Sequence, residues 1–313
     1  MPDAARLVER GIGETRAALI ENGRIVEARI ELNDAVRAGT VIDARLLSSG
    51  HNAVARDTAG AEYLLPRGAP AVTEGAQLRI EITRSAIPGA EPWKRPLARV
   101  TDEPVHEAPP VEGRAATRDE LGEAGWEELI EQARSGLVQF PGGALRIEPT
   151  ATMTVIDVDG YLAPEELAVR GATEAAKAIR RLDIGGSIGI DLPTSGRKAA
   201  RQSAAAAIDA QLPQPFERTA VNGFGFVQIV RPRARASLVE LAQDRAAFEA
   251  RALLRRMALE PPGPKRLVGH PAVIAMLESR PDWLDTLARQ VGGAISLRAD
   301  AALPMSGGYA EAI

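Results

Sequence analysis

The sequence predicts an α/β fold, α+β over the chain as a whole, on three observations. Residues 152–193 read as strand, helix, strand, with apolar β-branched runs Met153–Val158 and Ser187–Ile190 around a helical segment from Pro164 to Arg181. That helix is long enough for the crossover of a βαβ unit. Residues 14–83 hold short alternating runs separated by glycine turns, and residues 266–297 read as β-α-α-β. Mixed patterns of this kind give helices packed on sheets rather than a bundle or a pure sandwich. Three regions are expected: 1–110, rich in β structure; 111–236, α/β; and 237–313, a helix followed by a small α/β unit.

In order along the chain, Thr15–Ile20 and Arg24–Ile30 alternate about Asn22-Gly23. Asn-Gly between alternating runs signals a two-residue hairpin. Gly39 to Thr83 carries further short strands broken at Ser48-Ser49-Gly50, Ala59-Gly60 and Glu74-Gly75, which suggests a small β-barrel. Prolines crowd Ile87 to Gly113, a composition that marks a linker. A helix is expected from Thr117 to Arg134, with Leu121, Trp126, Leu129, Ile130 and Ala133 on one face. Leu137–Phe140 and Ala144–Glu148 flank the turn Pro141-Gly142-Gly143 as a second hairpin. Arg197 to Ala210 reads as an Ala-rich helix, and Val239 to Leu259 as another. The tail ends frayed after Ala299, and His270 reads as structural.

With 313 residues the chain can bury more than one core, and its charged and apolar fractions are those of an ordinary soluble protein. No apolar run reaches the length of a membrane span and no signal sequence opens the chain, so a cytoplasmic protein with no membrane partner is expected. The absence of cysteine excludes disulfides, zinc knuckles and thiol nucleophiles. A net charge of −4 leaves only a local basic groove to hold a nucleic acid. The basic residues are overwhelmingly arginine, which a coding bias explains as well as phosphate binding does.

Both strands of the 152–193 unit end on an aspartate. If they are parallel neighbours, Asp157 and Asp191 share the carboxyl-terminal edge where open α/β sheets place ligands. Two carboxylates repel unless a cation lies between them, and hard Mg²⁺ or Mn²⁺ prefers oxygen donors. Asp159 offers a third oxygen. Strand-terminal aspartates also cap turns, and spacing alone leaves both readings open.

The same run resembles the catalytic segment of the ribonuclease E/G family. The matching pieces are Ile156-Asp157-Val158-Asp159, Glu165-Glu166-Leu167-Ala168, Thr173-Glu174-Ala175-Ala176, and Asp183-Ile184-Gly185-Gly186 before Ile190-Asp191. Asn222 to Arg233 and Ser237-Leu238-Val239-Glu240 continue the resemblance. It implies a metal-dependent, nuclease-like α/β catalytic domain between an N-terminal OB-like barrel and a small C-terminal domain. It implies an endoribonuclease that hydrolyses single-stranded RNA to 5′-phosphate products, with Asp157 and Asp191 holding Mg²⁺ and Asp159 where relatives have asparagine. The alternative is a catalytically degenerate module of the same fold that binds RNA or a protein.

By the same resemblance, Tyr63 falls near a stacking position of the barrel, with a half-buried barrel residue as the equal alternative. Arg84, Lys94 and Arg95 are candidate phosphate contacts. Arg231 and Arg233, with Arg235, Arg197, Lys198 and Arg201, are candidates for the scissile backbone, although Arg231 could pair with an aspartate and Arg197 to Arg201 could form a solvated helix face. The family's zinc-linking cysteines, its 5′-monophosphate pocket and the arginine expected near Tyr161 are missing. A monomer or weak homodimer without zinc is expected, any self-association using Leu241, Phe248, Ala252, Leu253 and Met257.

Overall fold

The computed structural model describes residues 4–89, 91–117 and 119–312. Its first sheet grows from the Asn22-Gly23 turn, where both residues take positive φ (51° and 74°), as a tight hairpin between right-twisted strands demands. Strands β1 (Ala4–Arg10), β2 (Glu14–Glu21) and β3 (Arg24–Leu32) are antiparallel neighbours. Next come β4 (Val41–Ser48), β5 (Ala53–Arg56), β6 (Glu62–Leu65), β7 (Gln77–Arg84) and β8 (Leu97–Val100), which close into a five-stranded barrel in the order β4-β5-β6-β8-β7. Period-two alternation turns Leu46, Ala55, Tyr63, Leu65, Ile80 and Ile82 inward, all fully buried.

Two expectations fail here. The proline-rich segment is not only a linker, because it contributes β8, which β7 and β6 complete as a barrel wall. Tyr63 has no exposed surface, and its hydroxyl donates to Asp57 Oδ2 at 2.8 Å. Burial, then that hydrogen bond, push the phenol pKa up. Its ring is core and cannot stack a base.

A two-residue strand β9 (Arg114–Ala115) returns alongside β1. The helix expected over 117–134 is two helices, α1 (Glu120–Glu123) and α2 (Trp126–Ser135), broken at Gly125 with φ +100°. The central unit follows: β10 (Leu137–Phe140), β11 (Gly143–Pro149), β12 (Thr154–Gly160), α3 (Pro164–Arg181), β13 (Gly186–Asp191), α4 (Lys198–Gln211), β14 (Glu217–Arg218) and β15 (Phe226–Arg231). Its sheet runs β10-β11-β12-β13-β15-β14. Small residues of α3 (Ala168, Gly171, Ala172, Ala175, Ala176) are buried where the helix packs on that sheet, on α4 and on β3. A Cβ on Gly171 would collide with Val158, so the glycine sets how closely helix and sheet approach. The first sheet shares this core through Leu7, Ala18 and Ile30.

The helix expected from Val239 to Leu259 is also two: α5 (Leu238–Leu241), opened by a Ser237/Glu240 capping box, and α6 (Arg245–Leu259), capped by Asp244. Leu241, Phe248, Leu253 and Met257 are buried inside the chain, which removes the face suggested for self-association. Arg251 and Arg255 of α6 are buried against Glu14 (2.9 Å) and Glu9 (3.0 Å) of the first sheet. The tail forms β16 (Lys265–Gly269), α7 (Pro271–Glu278), α8 (Pro281–Val291), β17 (Ile295–Ala299) and β18 (Tyr309–Ala312), in the order β17-β16-β18. The end is therefore not frayed: β18 pairs antiparallel with β16. His270 caps α7 through Nδ1. Among the described residues no helix is long and apolar enough to cross a membrane.

Candidate active site

Strands β12 and β13 are parallel neighbours in a register that sets Asp157 opposite Asp191. Alternation does the rest. Ile156, Val158, Ile188 and Ile190 are buried on the helix-covered face, so Asp157, Asp159 and Asp191 lie on the other, open face. Neighbouring strands stand about 4.8 Å apart, so the two aspartates are close in space although 34 positions apart in sequence (191 − 157). Burial, then the charges of Asp159 and Asp191, raise the Asp157 carboxyl above its usual range, opposed by a backbone hydrogen bond and by Arg146.

Arg146 was not singled out from the sequence. It stands on β11 in register with Asp157 and reaches Asp159 Oδ2 at 3.9 Å. The short turn over 150–153, closed by Thr150 N–H donating to Met153 O at 2.9 Å, fixes that pairing, so counting back along the β11–β12 hairpin finds it. Beyond Asp191, Phe226 is its partner on β15, and the ring occupies the space over Gly189, where a Cβ would stand 2.7 Å from Phe226 Cζ. The edge is finished by the loop 161–163, the segment 192–197 and the loop 221–225. Leu192 N–H donates to Gly225 O (3.3 Å) and Thr194 Oγ1–H to Phe224 O (3.0 Å), tying the last two together.

Arg197 and Lys198 open α4 directly after the 192–197 segment, so they belong to the same edge. Arg197 is 79% exposed along its side chain and pairs with Glu165 at 3.1 Å, while Arg201 donates to Ser195 O. Free helix N–H groups and two exposed cations make that end receptive to phosphate.

The remaining candidates are elsewhere. Arg231 is paired with Gly186, five residues from Asp191 along β13, which is roughly 16 Å at strand rise. It donates to Ile184 O at 3.0 Å, and burial holds its pKa down, with Asp183 opposing. Arg235 is bound to Asp183 (2.6 Å). Neither Arg231 nor Arg235 reaches the aspartate pair. Arg233 is paired with Glu240. Arg84 donates to the carbonyl oxygens of Trp93 and Arg95 (2.7 and 2.8 Å), and burial, with Arg233 nearby, brings its pKa down to about 10. Arg84 is a brace for the 85–96 loop rather than a free phosphate contact. With Lys94 and Arg233 it lines a cleft of about 490 Å³ at the amino-terminal end of β12, together with Trp93, Thr154 and Ser187. Ser187 lies four residues before Asp191 on the same face, about 13 Å away.

Among the described residues no three His, Cys, Asp or Glu side chains gather tightly enough to form a metal cage. Asp159 is 71% exposed along its side chain and leans to Arg146. Asp159, the expected third ligand, keeps to the same open face as Asp157 with a guanidinium 3.9 Å away.

A pair of carboxylates on parallel strands, edged by cations and helix N–H groups, offers oxygen donors to a hard cation and an amide cradle to an anion. The comparison with protein families is more specific: residues 87–234 match the model of the Ribonuclease E/G family. The match runs from the loop before β8 through β15 and includes both aspartate strands. It supports a ribonuclease role. A search of curated proteins returned no match.

Proposed function

We propose that this protein is a metal-dependent endoribonuclease acting on single-stranded RNA, with Asp157 and Asp191 as the ligands of one Mg²⁺ or Mn²⁺. The register of β12 on β13 carries the reading, because it sets two carboxylates side by side where Asp157 is already raised by burial and then by the charges of Asp159 and Asp191. The donor set fits the ion: oxygen only, two carboxylates, and solvent on the open side for the waters that Mg²⁺ retains. When bound, such an ion polarises a phosphoryl oxygen and lowers the pKa of a water.

The chain's own residues do the rest. Arg146, Arg197 and Lys198 draw the phosphate to the carboxylate edge against the repulsion of Asp159. The strand lies along the open face, from the cleft of Lys94 and Arg233 past Ser187 to Asp157 and Asp191. Hydrolysis there leaves a 5′-phosphate on the downstream product. Region 111–236 holds the chemistry, region 1–110 the barrel, and region 237–313 the buried arginines that brace the first sheet; the active form is a monomer or weak dimer in the cytoplasm.

The guanidinium of Arg146 beside Asp159 favours one second reading, a module that holds RNA without cutting it. Incubating a 5′-labelled single-stranded RNA with the protein in Mn²⁺ or EDTA separates the two. Metal-dependent fragments with 5′-phosphate ends support the nuclease; a bound, intact RNA at saturating Mn²⁺ supports the module.

A further inference from the structure

We propose that Tyr161 and Phe224 are stacking platforms for two RNA bases, one on each side of the scissile phosphate. The inference rests on the reading of the site as one for single-stranded RNA. Tyr161 is 86% exposed and Phe224 81% exposed, the two highest values among the exposed large apolar side chains described. The chain holds only eleven aromatic residues (3 Trp, 3 Tyr and 5 Phe). Trp126, Trp283, Tyr63 and Phe248 are buried in cores. The two rings left most open to water both stand on loops at the carboxylate edge.

Their backbones are held. Tyr161 follows β12 by one residue, four after Asp157, and its N–H donates to Gly142 O at 3.1 Å. Phe224 precedes β15, whose first residue is the register partner of Asp191. Asn222 Oδ1 accepts from the N–H of Phe224 (2.9 Å) and of Phe226 (3.0 Å), and Phe224 O accepts from Thr194. Gly225 takes φ +95°, and a Cβ there would strike Leu192 O. A ring exposed on a loop fastened this way is presented, not loose. Strands β12 and β15 flank β13, so the two rings arise from strands roughly 10 Å apart, with Asp191 on the strand between them and Asp157 on β12 itself, four residues before Tyr161.

Exposed aromatics beside cations are the arrangement that grips single strands without reading sequence, because every base offers a π face. The barrel strands offer no such platform, Tyr63 being buried, and the exposed ring of that region, Trp93, is on the loop before β8 and less open at 56%. Splaying the two bases onto separate rings leaves the phosphodiester between them stretched over Asp157 and Asp191.

The test is fluorescence anisotropy of a labelled ten-nucleotide single-stranded RNA in EDTA, with wild type, Tyr161→Ala, Phe224→Ala, Tyr161→Phe and Arg197→Ala. Each alanine variant should lose roughly 5- to 150-fold in affinity, as removal of a stacked ring does, while Tyr161→Phe binds as wild type. The slope of affinity against salt should be unchanged in the ring variants and smaller by about one in Arg197→Ala. An abasic ribose-phosphate strand should bind weakly and equally to all but Arg197→Ala. Wild-type affinity in both alanine variants overturns the inference and leaves the RNA reading standing. Failure of the wild type to bind RNA overturns both. Light scattering that shows the alanine variants dissolving a dimer, with RNA binding intact, assigns the rings to a protein interface instead.

Discussion

Arg146→Gln removes the cation that stands in register with Asp157 and should affect the site's two kinds of ligand in opposite directions. Arg146 sits opposite Asp157 and 3.9 Å from Asp159, with 65% and 71% of the two side chains exposed. Pairs this open to water are worth about 0.2–1 kcal/mol. A bound divalent ion competes with that charge, so the variant should bind Mn²⁺ about 1.4- to 5-fold more tightly, the same energy expressed at RT ≈ 0.59 kcal/mol. RNA loses a phosphate partner, so its affinity should fall by a similar factor and the salt slope by about one. The metal-free protein supplies a third sign. Asp157 titrates above its unfolded value, so the stabilisation it contributes is present in acid and lost as pH rises through the folded titration. Arg146 opposes the rise, and without it the loss at neutral pH should be larger. Melting temperature against Mn²⁺ concentration and pH, with RNA anisotropy alongside, reads all three. Weaker metal binding in Arg146→Gln would refute the reasoning and make the guanidinium a support that positions the carboxylates.

Asp157→Asn should raise the metal-free melting temperature at neutral pH, because it deletes a repelled carboxylate, and the gain should vanish as the wild type becomes protonated in acid. Calorimetric scans at a series of pH values check the sign. Tyr63→Phe should cost about 0.5–1.5 kcal/mol of stability through the lost bond to Asp57 while leaving RNA affinity unchanged, which denaturant melts and anisotropy report separately. Gly225→Ala should destabilise by roughly 1–3 kcal/mol, because a positive φ and the Leu192 carbonyl both oppose the methyl group. It should also weaken cleavage by freeing the loops on either side of Asp191, measured as initial rate on one labelled RNA.

Much of the carboxylate edge was legible in the sequence, because it depends on near-neighbour patterning. Two apolar runs ending on aspartates, with one helix between them, admit few arrangements once crossovers are parallel. The observed helix Pro164–Arg181 and the Asp157–Asp191 pairing follow from that. The Asn22-Gly23 hairpin was legible for the same reason, as its turn demands positive φ. What failed was set by partners distant in sequence. Tyr63 looked available because barrel closure by β8 cannot be seen from a proline-rich stretch. Arg231 lay within a matching motif, but antiparallel pairing of β15 on β13 carries it to the end opposite Asp191. Exposure of Tyr161 and Phe224 has no signature in composition, since loops and cores use the same aromatics.

The central claim is that Asp157 and Asp191 together hold one divalent ion, and Mn²⁺ binding followed by electron paramagnetic resonance tests it without any substrate. Free Mn²⁺ gives a sharp signal that is lost on binding, so a titration counts sites directly. The account predicts one site in the wild type, a much weaker site in Asp191→Asn, and none when both aspartates are asparagine. The same site, undiminished, in the double variant would contradict it.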